Sequence, residues 1–258
     1  MTLHDTKREK QLAEWLASPR AQLLLECEQK LLHEELARLT GFRLLQVGAW
    51  GFDADLLGQA GTLCQWRLTR WPQRPDDIVF DGYNLPIASG SVDAVLLAHA
   101  LDLADQPHRL LRECERILSD RGRLVVLGFN PLSLWALAQR VPGRGHGRFV
   151  RPARFYPAGR VCDWLRLLGF EQKRIVRYGV GFPFFGHAQD VCSGSRQVQL
   201  LAWLAQAWLI VARKRVMPLT CVRLSSPQPS RSASGHVGLA NHGAGRVDSR
   251  RQITCFRR

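Results

Sequence analysis

Gly48, Asp81, His99 and Asn130 each follow directly after a run of apolar, strand-forming residues, and each is of a type suited to binding or catalysis. A glycine lets the backbone approach a ligand closely. Aspartate and asparagine hydrogen-bond polar groups, and histidine exchanges protons near neutral pH. Open α/β folds bind ligands where parallel strands end. The spacing therefore predicts a ligand site built from strand ends.

Each of these residues also has an alternative interpretation. A glycine at a strand end is at least as often only a turn, and Asp81 is equally typical of a turn aspartate. A lone histidine is more often a hydrogen-bonded packing residue than a base, although the position of His99 at a strand end favours function. Both interpretations remain open at this point.

Alternating strand and helix patterns supply the elements that would position these residues. Runs of apolar and β-branched residues predict strands at 43–47, 62–67, 77–80, 92–98, 123–129, 170–178 and 207–215. Apolar residues at helical spacing predict helices at 7–39, 107–118, 158–168 and 196–206. Asp120-Arg121-Gly122 predicts the turn from the helix at 107–118 into the strand at 123–129. Such alternation indicates a parallel sheet with helices packed on both faces.

Composition divides the chain into three parts: a helical segment at 1–40, an α/β domain at 41–217 and a basic tail at 218–258. The tail is rich in Ser, Gly, Arg and Pro without periodicity, which is typical of disorder. The net charge is +14, and a second basic stretch holds Arg140, Arg144, Arg148, Arg151, Arg154 and Arg160, partly within the Gly/Pro/Arg-rich loop 141–148. Such charge attracts nucleic acid, anionic lipid or acidic substrates, or it is simply a solvated surface. No helix-turn-helix, zinc-finger or RNA-recognition signature accompanies it.

The seven cysteines are scattered and contain no Cys-x-x-Cys pair, which argues against a zinc site and against a disulfide framework. We therefore expect no metal and a reducing, cytoplasmic compartment. The hydrophilic start lacks the apolar stretch of a signal peptide. The apolar runs are shorter than the roughly 20 residues that span a bilayer, so we expect no transmembrane segment.

The segment 42–135 resembles the type 11 family of class I S-adenosylmethionine (SAM)-dependent methyltransferases. The resemblance rests on an acidic residue with Leu-Pro, a Ser-x-Asp start to strand four, an Arg-Glu-x-x-Arg helix and a glycine before strand five. Here these are Asp81, Leu85-Pro86, Ser91-Val92-Asp93, Arg112-Glu113-Cys114-Glu115-Arg116-Ile117-Leu118 and Gly122. Residues 127–135 resemble a proteobacterial subgroup whose substrate is unassigned.

The resemblance implies a fold, a cofactor and site residues. The fold would be a Rossmann-like, doubly wound, mostly parallel seven-stranded sheet whose last strand is antiparallel. The cofactor would be SAM, and the reaction would transfer its methyl group to an acceptor, more often a small molecule than a macromolecule. Cofactor-binding residues would be Gly48 and Gly51 on the methionine side, Asp81 and Gly82 at the adenine, and Ala98 and His99 near the sulfonium. His99 is the candidate base, and Asn130 is a candidate for substrate binding.

Two departures from the family pattern keep other functions open. Gln46 and Trp50 stand where the family has an acidic and a small residue. The second strand also lacks its ribose-binding carboxylate, so SAM binds weakly unless Asp76 or Asp77 substitutes. One alternative is a non-catalytic member of the fold that binds an anionic partner. Another is an RNA methyltransferase that holds phosphates with its basic loop and tail. A dinucleotide-dependent dehydrogenase is disfavoured because no Gly-x-Gly-x-x-Gly follows the first strand.

Overall fold

Seven strands form one sheet in the computed structural model, which describes residues 15, 18–38, 43–48, 64–70, 72, 75–133, 136–137, 154–179 and 205–215. The strands are β1 (Arg43–Val47), β2 (Cys64–Thr69), β3 (Ile78–Val79), β4 (Val92–Ala98), β5 (Leu118–Phe129), β6 (Phe170–Tyr178) and β7 (Ala207–Lys214). Their order is β3-β2-β1-β4-β5-β7-β6. β1 to β5 pair in parallel, and β7 runs antiparallel to both β5 and β6. The predicted doubly wound sheet with an antiparallel last strand is confirmed.

Helices cover both faces of the sheet. They are α1 (Pro19–Ala37), α2 (Ala100–Leu103), α3 (Pro107–Ile117) and α4 (Ala158–Leu167). The central strands are apolar on both sides, as parallel strands buried between helices must be. Leu44 and the alternate residues of β4 pack with α1 on one face. Leu45 and its neighbours pack with α3 and α4 on the other.

The Arg-Glu-x-x-Arg stretch of α3 fastens the segment that leads into β4. Arg116 donates to the carbonyl oxygens of Leu85 and Ile87 at 3.0 and 2.9 Å, and the Leu85 amide donates to Glu113 at 3.2 Å. Arg116 also pairs with Glu113 at 2.8 Å, and this hydrogen bond holds the pKa of Glu113 below its usual value. These charged side chains therefore stabilise the fold rather than take part in chemistry.

One expectation about local structure is wrong. The predicted turn at 120–122 belongs to β5, which begins at Leu118 because Leu118 pairs with Val92 before a register irregularity.

Two carboxylates of α1, Glu28 and Glu35, are buried. They are buried because each has a partner on the sheet: Glu28 at Tyr178, and Glu35 at Arg174.

Several predicted segments lie outside the described residues. They are Trp50 and Gly51, the basic loop 141–148, most of the helix at 196–206 and the tail 218–258. The described residues all belong to one compact unit that ends at Met217. Among them, no helix is both long and apolar enough to cross a membrane.

Candidate functional site

The ends of β1, β4 and β5 meet at one edge of the sheet and bring Gly48, His99 and Asn130 to it. β1 lies between β2 and β4, so the strand order runs outward from β1 in opposite directions, to β2 and β3 on one side and to β4 and β5 on the other. In open α/β sheets this reversal opens a crevice where ligands bind. The strand-end residues singled out from the sequence therefore share the edge at which a cofactor is expected.

Gly48 turns the chain sharply at the end of β1. Its φ is +109°, and a Cβ added there would lie 2.7 Å from the Ala98 carbonyl oxygen at the end of β4. Its amide donates to the Leu68 carbonyl at 2.9 Å, and the Gln46 side chain donates to its carbonyl at 3.3 Å. Gln46, which replaces the family's acidic residue, thus holds the turn. Only a glycine fits this conformation and this close approach.

His99 lies in a buried cluster of ionisable side chains at the end of β4. Its Nδ1 is 3.2 Å from Asp102 Oδ2, and its Nε2 is 3.1 Å from Glu28 Oε1. The Tyr178 hydroxyl donates to the same Glu28 oxygen at 2.7 Å, and the Phe129 amide donates to Asp102 at 3.0 Å. His99 itself has a left-handed φ of +52°, which is uncommon for a residue with a side chain. The cluster joins α1, β4, α2, β5 and β6.

The two carboxylates favour the charged form of His99. Burial alone lowers the pKa of the imidazole, but the charges and hydrogen bonds of Glu28 and Asp102 raise it above its usual value. Burial raises the pKa of Asp102 as well, and burial together with the Glu28 charge raises that of Tyr178. Glu28 Oε2 and Asp102 Oδ1 have no hydrogen-bond partner. The cluster therefore favours a protonated imidazole, and both ring nitrogens of His99 are already engaged.

Glu28, Asp102 and Tyr178 were not singled out from the sequence. A signal for Glu28 was present, because it falls between Leu24 and Leu32 at the four-residue spacing of one helix face. An acidic residue on an otherwise apolar face indicates a buried partner. Asp102 follows His99 by three residues, which places the two side chains together once a helix begins there. Tyr178 gave no such signal.

Asp81 and Gly82 follow β3 and form a turn. Asp81 Oδ1 accepts from the amides of Tyr83 and Asn84 at 2.8 and 2.7 Å, and its Oδ2 accepts from the Asn84 side chain at 2.6 Å. Slight burial raises the pKa of Asp81, but these hydrogen bonds lower it by a larger amount. The pKa of Asp81 therefore lies below its usual value. Both carboxylate oxygens are thus engaged within the turn, as expected of a turn aspartate.

Arg70 lies directly after β2, in the stretch 66–71 where the family resemblance would lead one to expect a ribose-binding carboxylate. Its guanidinium is buried, donates to the Gly82 carbonyl at 3.3 Å and lies 5.5 Å from the centre of the Tyr83 ring. Gly82 has a φ of +89°, and a Cβ there would collide with the Arg70 side chain. The proposed substitute Asp77 is paired with Arg67 at 2.5 Å. The edge near Gly82 therefore holds a buried guanidinium, and Gly82 makes room for it.

Asn130 organises the turn after β5. Its amide nitrogen donates to the Ala205 carbonyl at 2.8 Å, and its Oδ1 accepts from the Leu132 amide at 3.1 Å. The side chain also borders a cavity of about 130 Å³ beside Trp208. Within the described part of the chain, no group of three or more His, Cys, Asp or Glu side chains is arranged to hold a metal.

Comparison with known proteins assigns the chain to a family. Residues 54–126 match the family model described as a methyltransferase domain. An Escherichia coli protein called YafS is 35% identical over 208 residues, which cover 80% of this chain and 82% of that protein. The chain belongs to the class I SAM-dependent methyltransferases of type 11, a family whose cofactor is SAM.

Solved structures agree on the fold. A Thermotoga maritima SAM-dependent methyltransferase, described as a possible histamine N-methyltransferase, has a TM-score of 0.59 at 18% identity and covers 80% of this chain and 95% of its own. A Burkholderia thailandensis 1,6-didemethyltoxoflavin-N1-methyltransferase has a TM-score of 0.51 at 13% identity and covers 82% and 85%. That second structure holds its acceptor and S-adenosylhomocysteine (SAH). At these identities the likeness shows the architecture alone.

Proposed function

We propose that the chain binds SAM at the carboxyl edge of β1 and β4 and transfers its methyl group to a small-molecule acceptor. The observation that supports this most is the pair of sharp turns at Gly48 and His99, with φ of +109° and +52°, at adjacent strand ends. They bend the chain where the sheet reverses its order, so backbone groups face a ligand there. SAM supplies a methyl group on a sulfonium, which needs alignment with the acceptor more than it needs covalent help.

The residues present fit SAM better on the methionine side than on the nucleoside side. Gly48 leaves the end of β1 without a side chain, which matches a cofactor held against backbone. On the nucleoside side, Asp81 is engaged in its own turn and Arg70 replaces the family's carboxylate. A guanidinium donates to hydroxyl oxygens, so Arg70 would contact ribose as a donor. We therefore expect binding that is weaker than a ribose-binding carboxylate would give.

His99 has a positioning role in this proposal. For His99 to act as a base, Glu28 or Asp102 would have to release one of its ring nitrogens, because both are engaged. Its left-handed backbone and buried contacts instead fix the end of β4, where the sulfonium is expected. Many acceptors need no base, since a neutral amine or a thiolate attacks directly. We also place this activity in the cytoplasm, which the scattered spacing of the seven cysteines supports.

Calorimetric titration of the full chain with SAM and with SAH tests the proposal. We expect saturable binding of one molecule per chain, weakened roughly tenfold by Gly48→Ala, because the added Cβ displaces the turn. Gly90→Ala is the matched control, since Gly90 also has a positive φ but open space around it. Circular dichroism confirms that both variants fold. Absence of binding at high micromolar SAM would refute the enzyme assignment.

A rival function is a non-catalytic chain that kept the fold and uses it to bind an anion. The observation that favours it is the positive charge of Arg70 at the ribose position. The same titration separates the two, because the rival predicts no affinity for SAM or SAH. The RNA methyltransferase alternative predicts strongly salt-dependent RNA binding that is lost when 218–258 is deleted.

A further inference from the structure

A cleft of about 750 Å³ opens between the starts of α3 and α4. It lies outside the site described above and is large enough for a metabolite. Four arginines line it: Arg109 and Arg112 from α3, Arg154 before α4, and Arg160 within α4. They come from segments separated by some forty residues, so the fold, not a local run of charge, concentrates them.

The described lining of the cleft carries an excess of positive charge, because it holds four arginines and one acidic residue, Asp105. Arg109 donates to Asn84 at 2.8 Å, and Arg160 lies 5.8 Å from the centre of the Trp164 ring. Asp105 accepts from the Tyr83 hydroxyl at 3.4 Å. Several guanidinium groups that line one cleft suit an anionic ligand.

α3 begins at this cleft, because Gln106 and Pro107 line it. The side chain of the capping residue Gln106 accepts no hydrogen bond from the first turn of the helix. Unsatisfied amides and the helix dipole make such a start favourable for anions. The start of α3 therefore adds to the positive charge of the arginines.

An aromatic wall flanks the charged groups. Trp164 is half-buried, and the rings of Tyr156 and His108 pack against it with centroids 5.0 and 4.1 Å away. Flat apolar surface next to guanidinium groups favours a ligand that carries a ring as well as a charge. A nucleic-acid backbone would need an extended basic groove rather than a single cleft with one such wall.

The cleft adjoins the strand-end site through the backbone. The Arg154 amide donates to the Asp102 carbonyl at 3.1 Å, and the Asp102 carboxylate contacts His99 at the end of β4. We propose that this cleft binds the methyl acceptor, and that the acceptor is a small molecule with a phosphate or carboxylate group attached to a planar ring. The acceptor role rests on the proposed function, whereas anion binding in the cleft is measurable without SAM.

The test is calorimetric titration of the full chain, without SAM, with three probes that share a ring: 4-nitrophenyl phosphate, 4-nitrobenzoate and neutral 4-nitrobenzyl alcohol. We expect one or both anions to bind at one site per chain and the alcohol to bind at least tenfold more weakly. The double variant Arg112→Gln/Arg160→Gln should weaken the anion roughly 10- to 100-fold, since each arginine supplies charge-assisted hydrogen bonds. Arg166→Gln, on the outer side of α4 where Arg166 pairs with Asp163 at 3.0 Å, is the matched control.

The outcomes separate this inference from the proposed function. Anion binding that falls in the double variant while SAH affinity stays unchanged supports the acceptor cleft. Intact SAH binding without anion binding overturns the cleft and leaves the methyltransferase proposal standing. Anion binding without SAM or SAH binding overturns the acceptor role. Equal loss in Arg166→Gln, or RNA binding that displaces the probe with a steep salt dependence, also overturns it.

Discussion

The two halves of the strand-end site handle charge in opposite ways. At the end of β4, His99, Glu28 and Asp102 are withdrawn from water, and two carboxylate oxygens lack hydrogen-bond partners. Near β3, Asp81 is exposed, and both of its oxygens are engaged by its own turn. The first arrangement links five elements across the domain, whereas the second links neighbours in sequence.

This difference decides how much each half contributes to stability. Electrostatic interactions are stronger in a low-dielectric interior, and leaving a buried charge unpaired is correspondingly costly. An exposed turn aspartate forms its bonds in competition with water, so its net contribution is small. The cluster at β4 should therefore control folding, and the turn at Asp81 should influence it little.

Removal of His99 should have the largest effect. His99→Ala leaves Glu28 and Asp102 facing each other without their shared cation, so we expect the free energy of unfolding to fall by about 3–5 kcal/mol. Urea denaturation measures it. His33→Ala, at an exposed position of α1, is the control and should change stability by less than about 0.5 kcal/mol. A loss below about 1 kcal/mol for His99→Ala would contradict a charged, paired cluster.

The pH dependence of stability should be the next largest effect. The pKa of His99 is raised by Glu28 and Asp102 against the effect of burial, and the pKa of Asp102 is raised by burial. A raised pKa in the folded state means that the native protein holds its proton more tightly than the unfolded chain does. The stabilisation is thus complete below the unfolded pKa and is lost as pH rises through the folded pKa.

For the wild type we therefore expect stability to fall as pH rises, beginning above about pH 4 for Asp102 and above about pH 6.5 for His99, with a slope of up to about 1.4 kcal/mol per pH unit for each proton released. Urea denaturation at a series of pH values measures the slope. In Asp102→Asn the slope should be shallower, because one raised pKa is removed and the other loses a partner. A slope that is unchanged in this variant would show that the protons are released elsewhere.

The contrast between the halves also explains what the sequence could predict. Strand and helix positions followed from local apolar patterns, so β1, β4 and β6 were predicted to the residue. The turn at Asp81 was recognised as one alternative because its partners are two and three residues away. Glu28 could not be recognised in this way as a partner of His99, because it is 71 residues away and meets His99 only after α1 packs on the sheet.

The charge reversal at the ribose position was visible only in part. The sequence showed that the second strand lacks a carboxylate, and it left Asp77 as a possible substitute. The structure pairs Asp77 with Arg67 and turns Arg70 over Gly82. Which of several nearby charges takes a partner depends on strand register and on side-chain direction, and neither is encoded locally.

The smallest effect is expected at Asp81. Asp81→Ala removes the acceptor for two backbone amides in an exposed turn, so we expect a loss of about 1 kcal/mol in unfolding free energy. Asn84→Ala is the control, since it removes the side-chain bonds of Asn84 to Asp81 and Arg109 and leaves both backbone-amide bonds to Asp81 in place. The same variants, titrated with SAM, decide between the turn and adenine roles of Asp81. If the SAM-binding free energy of Asp81→Ala falls by no more than its unfolding free energy does, Asp81 acts through the turn. A roughly tenfold loss of SAM affinity in Asp81→Ala, with Asn84→Ala unaffected, would instead require a direct contact with the cofactor, and the two halves would then differ less than their geometry indicates.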